Sequence, residues 1–593
     1  MSNISQSKPL QISANTRIKV WYWLLLAVIS FFVIRLFYLQ VIRYDYYSTQ
    51  AYDTQLKEYE ISPDRGVIEI QNGDSTIPIV LNQTLFTLYA DPVYVENPGD
   101  AATKITEIIG GQASEYESEL RVENTRYVVL AKKLSHEQSQ KLRGLELKGI
   151  GTRGVPYRTY PQGNLAAQLL GFVNDEGKGS YGIEQALNDE LSGTPGMIKA
   201  ITDARGVPLA GNDDNIAVDP VPGQRTVLSI DLGMQNKLEQ ILKNQVTAVK
   251  SQTGSALIME ARTGKIKAMA SYPTYNPEEF YKVENADVFV NGSVSTALEI
   301  GSIMKPLTLA AALDQGVVNK NTSYYDPGFF RVGDATVRNV EEVAGSGTRS
   351  VGDILRLSLN TGATWLLMQM GGGEINEQAR SSWYDYMVNH YGFGAATGIE
   401  QGFEASGYVP SPTEGFGLDI QFANTSFGQG MRATPLQMAA ALAAVVNGGQ
   451  YYQPQLIEGT YDDEGIYTDK APHLVNQQVV SANASNDIRG LMADAFSANF
   501  RSYGLSNLPQ GYTIGGKTGT AEVPNLDSGG YYDDRYNGTF MGYVGGDEAQ
   551  YVIIAYTKEP TVDGYAGTKA AGPIFVQLAS MLIDDFAVTP IQE

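Results

Sequence analysis

At 593 residues the chain is too long for one hydrophobic core, so several domains are expected. Its composition, 43% hydrophobic and 18% charged, fits a folded chain, and a net charge of −22 repels phosphate backbones and argues against nucleic acid as a partner. The absence of cysteine excludes disulfides, thiolate catalysis and cysteine-ligated metals, and three histidines (His136, His390, His473) disfavour a histidine triad, leaving Ser, Thr, Lys, Asp, Glu and Tyr for chemistry.

Residues 20–42 form the first predicted element, an apolar run broken only by Arg35. Its length, about 23 residues, suffices to cross a bilayer of about 30 Å. A buried core helix and a signal peptide are the other readings, but the run is long for a signal peptide and no small-x-small cleavage site follows it. Lys8, Arg17 and Lys19 precede it without any acidic residue, which places a tail of residues 1–19 in the cytoplasm by the positive-inside rule. Trp21, Tyr22 and Trp23 suit one interface, and Tyr44, Tyr46 and Tyr47 the other. The expectation is a single-pass anchor, N-terminus in, with the remainder on the outer face of the cytoplasmic membrane.

Beyond it, short β-type runs at 66–70, 77–80 and 85–89 alternate with turns and a helical stretch at 101–109. Pro220, Pro222 and Gly223 mark a boundary, giving a β-rich part over 43–222 and a second domain over 223–593. The second opens with a strand at 225–230, a helix from Leu232, and strands at 255–259 and 265–270 joined by a turn. A mostly helical stretch follows from Met304 to about Val446, then strands near Tyr512 and Tyr551 and a helix at 574–583. This order predicts an α+β chain whose second domain is an α/β sandwich.

Three short motifs carry the chemistry: Ser302-Ile-Met-Lys305, Ser358-Leu-Asn360 and Lys517-Thr518-Gly519, extended by Thr520. Singly they are weak; Ser5 and Lys8 fit the first by chance, and Ser13, Ser481 and Ser497 begin copies of the second. Spacing by three stacks Ser302 and Lys305 on one helical face, with Pro306 suited to the first turn. A lysine takes a serine proton only when its pKa falls, which burial and a second cation such as Lys517 achieve. Ser358 could relay a proton and Asn360 hold a substrate amide, although such residues at a helix end are commonly caps. Lys517, Thr518 and Thr520 on a glycine-containing strand suit a carboxylate, and the backbone N–H groups of Ser302 and Thr520 could form an oxyanion hole.

The ordered trio is a signature of class A β-lactamases and penicillin-binding proteins. The chain as a whole resembles a class B penicillin-binding protein, a monofunctional peptidoglycan DD-transpeptidase. The resemblance also rests on Arg65-Gly-Val-Ile68, Arg158-Thr-Tyr-Pro161, Gly171-Phe-Val, Gly182-Ile-Glu184, Thr263-Gly-Lys265, Tyr275-Asn-Pro277, Phe427-Gly-Gln-Gly430 and Thr434-Pro-Leu-Gln437. It implies that Ser302 is acylated by the penultimate D-alanine of a stem peptide with Lys305 as base. Ser358 and Asn360 then assist, and Lys517, Thr518, Gly519 and Thr520 receive the terminal carboxylate, or that of an inhibiting β-lactam. It further implies peptidoglycan strands as substrate, a polytopic membrane glycosyltransferase as partner, no cofactor or metal, and a role in division or elongation, with a lean toward division.

Two departures stand out: Ile300 replaces the family's proline, and Asn291-Gly292-Ser293 replaces Asn-Arg-Ala, which could remove a link between the two domains. A class A β-lactamase would need a deacylating glutamate after the second motif. Glu184 begins such a string, E-x-x-L-N, but precedes Ser302. A DD-carboxypeptidase and a non-turnover β-lactam sensor are the remaining alternatives.

Overall fold

The computed structural model describes residues 14–47, 56–201, 216–339, 345–525 and 530–592. Contacts divide the chain into two compact units, one of residues 1–63 and 194–221, the other of residues 64–193 and 222–593. The basic tail around Lys8, with the chance motif matches at Ser5 and Ser13, lies outside the described residues.

In the smaller unit, α1 (Ala14–Phe37) continues through one wide turn to Ile42. Within it, Ile18–Ile42 is the one helix among the described residues long and apolar enough to cross a membrane, and none of its hydrophobic window is buried by protein. At 1.5 Å per residue it spans about 37 Å. Arg35 lies over the ring of Tyr38, one turn on, at 5.5 Å. The unit also holds an antiparallel three-stranded sheet whose first strand is β1 (Leu56–Ile61).

The larger unit begins with β2 (Ile68–Asn72) and β3 (Ser75–Ala90). The runs expected at 77–80 and 85–89 are one 16-residue strand, which pairs with β2 over its first part and changes partner from Leu81 onward. After α2 (Pro98–Ile109), strand β4 (Val128–Leu134) and helix α3 (His136–Gly144), the new partner is β5 (Ile150–Thr159). In the smaller unit's sheet, β6 (Gly196–Ile201) pairs with both β1 and β7 (Ile216–Val218). Strand β8 (Arg225–Asp231) lies parallel to β2, so a seven-stranded sheet unites residues before and after the 194–221 excursion.

Helix α4 (Leu232–Ala248) follows, capped by the Asp231 side chain, then β9 (Gly254–Glu260) and β10 (Ile266–Tyr272). Next come α5 (Lys305–Asp314), α6 (Asn360–Met370) and α7 (Pro435–Val446), whose residues are all buried except Asn360, Trp365, Met368 and Gln369 of α6 and Asp314 at the end of α5, which are partly open. The stretch from Met304 is less helical than expected: two small antiparallel hairpins, Ser323–Asp326 with Gly347–Ser350 and Phe329–Val332 with Ala335–Arg338, separate α5 from α6. Turn-bounded four-residue strands are too short to impose a clear period of two on the sequence. Strands β11 (Ile457–Tyr461) and β12 (Tyr467–Asp469) extend the seven-stranded sheet. Helix α8 (Ala482–Asn499) then leads to β13 (Thr513–Pro524), β14 (Tyr531–Gly545), β15 (Ala549–Thr557) and the final helix α9 (Gly572–Asp585).

A fully antiparallel sheet of order β10-β9-β15-β14-β13 organises this part, with helices on both faces. Ala256, Ile258, Ile553 and Ala555 pack with α4 and α9, whereas Leu257, Met259, Val552 and Ile554 pack with α5 and α7. Burial on both faces is why these strands read as continuous apolar runs without alternation. Helix α7, apolar on every side, fills the middle of the helical layer; Thr434 and Gln437 start it with a capping box.

Three stretches far apart in sequence, around Arg65, Arg158 and Glu184, meet at one carboxylate. Glu184 is fully buried and accepts from Arg65 Nε and Arg158 Nε, both at 2.7 Å, while Arg65 also donates to Ser192 Oγ at 2.8 Å. The E-x-x-L-N string is thus part of an ion cluster, and Glu184 does not line the cleft described below. Removing the shared carboxylate strands two guanidinium charges. Glu184→Gln is expected to destabilise the larger unit by about 3–5 kcal/mol, read as an earlier transition in thermal unfolding.

Candidate active site

Ser302 lies in a 3₁₀ turn, Gly301–Met304, that runs directly into α5 with Pro306 in its first turn. Residues three apart eclipse one another in such a turn, which brings Lys305 under Ser302. The Lys305 amine donates to Ser302 Oγ (2.9 Å), Ser358 O (2.6 Å), Ser358 Oγ (3.1 Å) and Asn360 Oδ1 (2.8 Å). Ser358 is not a cap; it holds a left-handed backbone, φ 58°, just before α6. This costly conformation for a non-glycine residue turns its carbonyl and its hydroxyl toward the lysine. Lys517 Nζ approaches from β13, 2.9 Å from Ser358 Oγ and 2.8 Å from Thr518 O.

Both amines are buried, with Lys305 0% and Lys517 3% exposed. Burial, reinforced by the Lys517 charge, pushes Lys305 well below the usual lysine range, and burial brings Lys517 down to about 7. A neutral amine has two hydrogens and one lone pair. The Ser358 carbonyl and the Asn360 amide oxygen can only accept, so they take the two hydrogens. The lone pair is left for a hydroxyl, and Ser302 Oγ is in reach.

These groups floor a cleft of about 720 Å³. Ser302, Ser358, Asn360, Thr518 and Thr520 line it, whereas the two lysines lie beneath. Gly519 does not line it; its α-carbon faces inward, where a side chain would overlap Thr539 Oγ1 and crowd Ile300 O. A Cβ on Gly428 would overlap the Gly301 carbonyl, and one on Gly567 the Gly519 carbonyl, so backbones pack directly around the Ser302 turn. Thr520 O lies 3.0 Å from where Gly301 would carry a Cβ. Because N–H and C=O of one strand residue point to the same side, Thr520 N–H also faces the open edge of β13, beside Ser302.

The far wall was not foreseen from sequence. It comprises Gln429, Glu522, Asp534 and Tyr536 and the segment around Val562 and Tyr565. A period of two from Thr518 through Thr520 reaches Glu522, which faces Tyr536 across the β13–β14 ladder; no local pattern marks the rest. Ser481 caps α8 and Asn499 ends it, so those copies of the second motif are structural. At the departures, Ile300 is buried and its carbonyl accepts from Thr539 Oγ1 at 3.2 Å. Asn291 Nδ2 donates to Gln401 Oε1 (2.8 Å) and Gln401 Nε2 to Leu169 O (3.0 Å), a link made by amides where an arginine was expected.

The penicillin binding protein transpeptidase domain family matches residues 254–580, more than half the chain, and the penicillin-binding protein dimerisation domain matches residues 60–228. Stage V sporulation protein D of Bacillus subtilis is 27% identical over 98% of this chain and 87% of its own length. The peptidoglycan D,D-transpeptidase FtsI homolog of Mesostigma viride is 26% identical over 93% of this chain and 92% of its own. Penicillin binding protein 2X from Streptococcus thermophilus shares the fold, with a TM-score of 0.72 at 23% identity over 89% of this chain and 81% of its own. With both domains matched in order and nearly the full length shared, the chain belongs to the penicillin-binding protein transpeptidases, in the class B form.

Proposed function

We propose that the chain is a membrane-anchored peptidoglycan D,D-transpeptidase in which Ser302 is the nucleophile and Lys305 its base. The observation that carries this reading is the buried Lys305 amine, bonded to two obligate acceptors and to Ser302 Oγ. Lys305 takes the Ser302 proton as Oγ attacks the carbonyl of the penultimate D-alanine. The oxyanion is received by the N–H groups of Ser302 and Thr520, the groups beside the open edge of β13. As the peptide C–N bond breaks, the proton passes from Lys305 through Ser358 Oγ to the departing D-alanine amine. An acceptor amine then attacks the ester, loses a proton to the same base, and Ser302 regains its own. Asn360 holds the amine and substrate amide, and Lys517, Thr518 and Thr520 receive the terminal carboxylate or that of a β-lactam, with Gly519 keeping the strand close to the Ser302 turn.

In this reading residues 223–593 form the transpeptidase domain and 43–222 a non-catalytic part. Lys8, Arg17 and Lys19, ahead of the apolar run, support an N-terminus in the cytoplasm, residues 20–42 in the bilayer and catalysis on the outer face. A polytopic glycosyltransferase supplying glycan strands is the proposed membrane partner. The names of the relatives favour a role in division or sporulation over elongation.

Peptide mapping by mass spectrometry after treatment with benzylpenicillin is expected to find one adduct, on Ser302, and none in Ser302→Ala; an adduct elsewhere sinks the assignment. Incubation with lipid-linked peptidoglycan strands is expected to give cross-linked dimers and free D-alanine. Release of D-alanine without dimers would turn the reading to a carboxypeptidase.

The rate of acylation should fall as pH drops and Lys305 becomes protonated. Lys517→Met removes the neighbouring charge while keeping its bulk, which raises the Lys305 pKa. The acid limb at saturating β-lactam should therefore move to higher pH, and a limb that stays in place counts against Lys305 as the base.

A further inference from the structure

Glu299, three residues before Ser302, occupies an unusual junction. Its carboxylate accepts from Gly430 N–H at 3.1 Å and from the Tyr531 hydroxyl at 3.1 and 3.0 Å. Gly430 belongs to the turn that underlies the Ser302 segment, and Tyr531 opens β14. The same turn is stitched to the same segment by backbone bonds. Leu298 and Ala433 exchange N–H to O bonds of 3.1 Å, and Gly301 N–H donates to Gly428 O at 3.1 Å. Gln429 reaches the other way, its Nε2 donating to Glu522 Oε2 on β13 at 3.1 Å. The 428–430 turn is therefore a wedge between the Ser302 turn and β13, and Glu299 is the charged side chain pinning it from the Ser302 side.

A half-buried carboxylate is an expensive pin. Burial, with the Glu522 charge adding to it, raises the Glu299 pKa, against the Gly430 N–H, the Tyr531 hydroxyl and Arg432, which favour the charged form. An apolar residue would avoid that cost, but it could not hold a backbone N–H and a hydroxyl from two elements at fixed spacing.

We propose that Glu299 is a positioning residue for acyl transfer: by bonding Gly430 N–H and Tyr531 Oη together, it fastens the 428–430 turn and the start of β14 to the Ser302 turn and so sets where Ser302 stands against β13. The inference rests on Ser302 being the nucleophile. Glu299 touches no reacting atom; it acts through the distance between Ser302 and the edge of β13, where a displacement of about 1 Å can cost about a hundredfold in rate.

The test uses the full chain in detergent micelles and a fluorescent penicillin over a range of concentrations, separating the limiting acylation rate from the affinity of the preceding complex. Glu299→Ala is expected to lower the limiting rate by about tenfold or more, with affinity changed by less than about threefold. Glu299→Gln, which keeps an acceptor oxygen, should recover the rate to within about threefold of wild type, and Tyr531→Phe should lose about threefold. A fold-supporting role alone would lower the melting temperature without this split or this rescue. A Glu299→Ala limiting rate equal to wild type, a loss confined to affinity, or a Glu299→Gln as slow as the alanine variant each overturns the proposal. Should Glu299→Ala not fold, a wild-type rate in Tyr531→Phe overturns it by itself. If the wild-type chain takes no label at Ser302, it is the nucleophile assignment that fails, and that result differs from labelling that proceeds at equal rates in all variants.

Discussion

Two lysine amines held out of water beside one serine hydroxyl are the constraint to which the rest of the larger unit answers. An ammonium group removed from solvent is costly unless it is paired or gives up its proton. Among the described residues, the polar contacts of Lys305 are two carbonyl-type oxygens and two hydroxyls, with no carboxylate. A carboxylate there would have stabilised the charged form and abolished its use as a base. Charge is instead discouraged by burial and by the second amine, and the site keeps a proton acceptor ready at the expense of stability.

Such an arrangement demands rigid surroundings, because a loose core would admit water and restore the ordinary lysine pKa. The fold supplies them in layers. Helix α5 is buried along nearly its whole length, α7 backs it, and the five-stranded sheet presents β13 as an edge beside the Ser302 turn. The long-range pairing of β2 with β8 and the buried Arg65–Glu184–Arg158 cluster tie residues 64–193 into the same compact unit.

What could be read in advance follows the range of the interactions involved. The spacing of Ser302 and Lys305 is a local fact and survives folding; so does the strand around Lys517. The left-handed backbone of Ser358 has no sequence signature, since nothing in Ser-Leu-Asn distinguishes it from a helix cap, and only the meeting with Lys305 fixes it. Strand β3 looked like two runs because the polar Asn82 and Gln83 interrupt it where its partner changes. The wall formed by Asp534, Tyr536 and the segment near Val562 joins the cleft only through the β13–β14–β15 ladder, and a ladder is set by partners far along the chain. Glu299 likewise carries no local signature, its partners lying 131 and 232 residues away.

The glycines around the Ser302 turn bear on which parts of the cleft can vary. At Gly428, Gly519 and Gly567 any side chain would collide with backbone or with a neighbouring hydroxyl, so substitution at these three positions disturbs the Ser302 turn itself and with it every reaction of the serine. Asp534, Val562 and Tyr565 line the same cleft away from that ring, so a change of side chain there reshapes the opening without moving the serine.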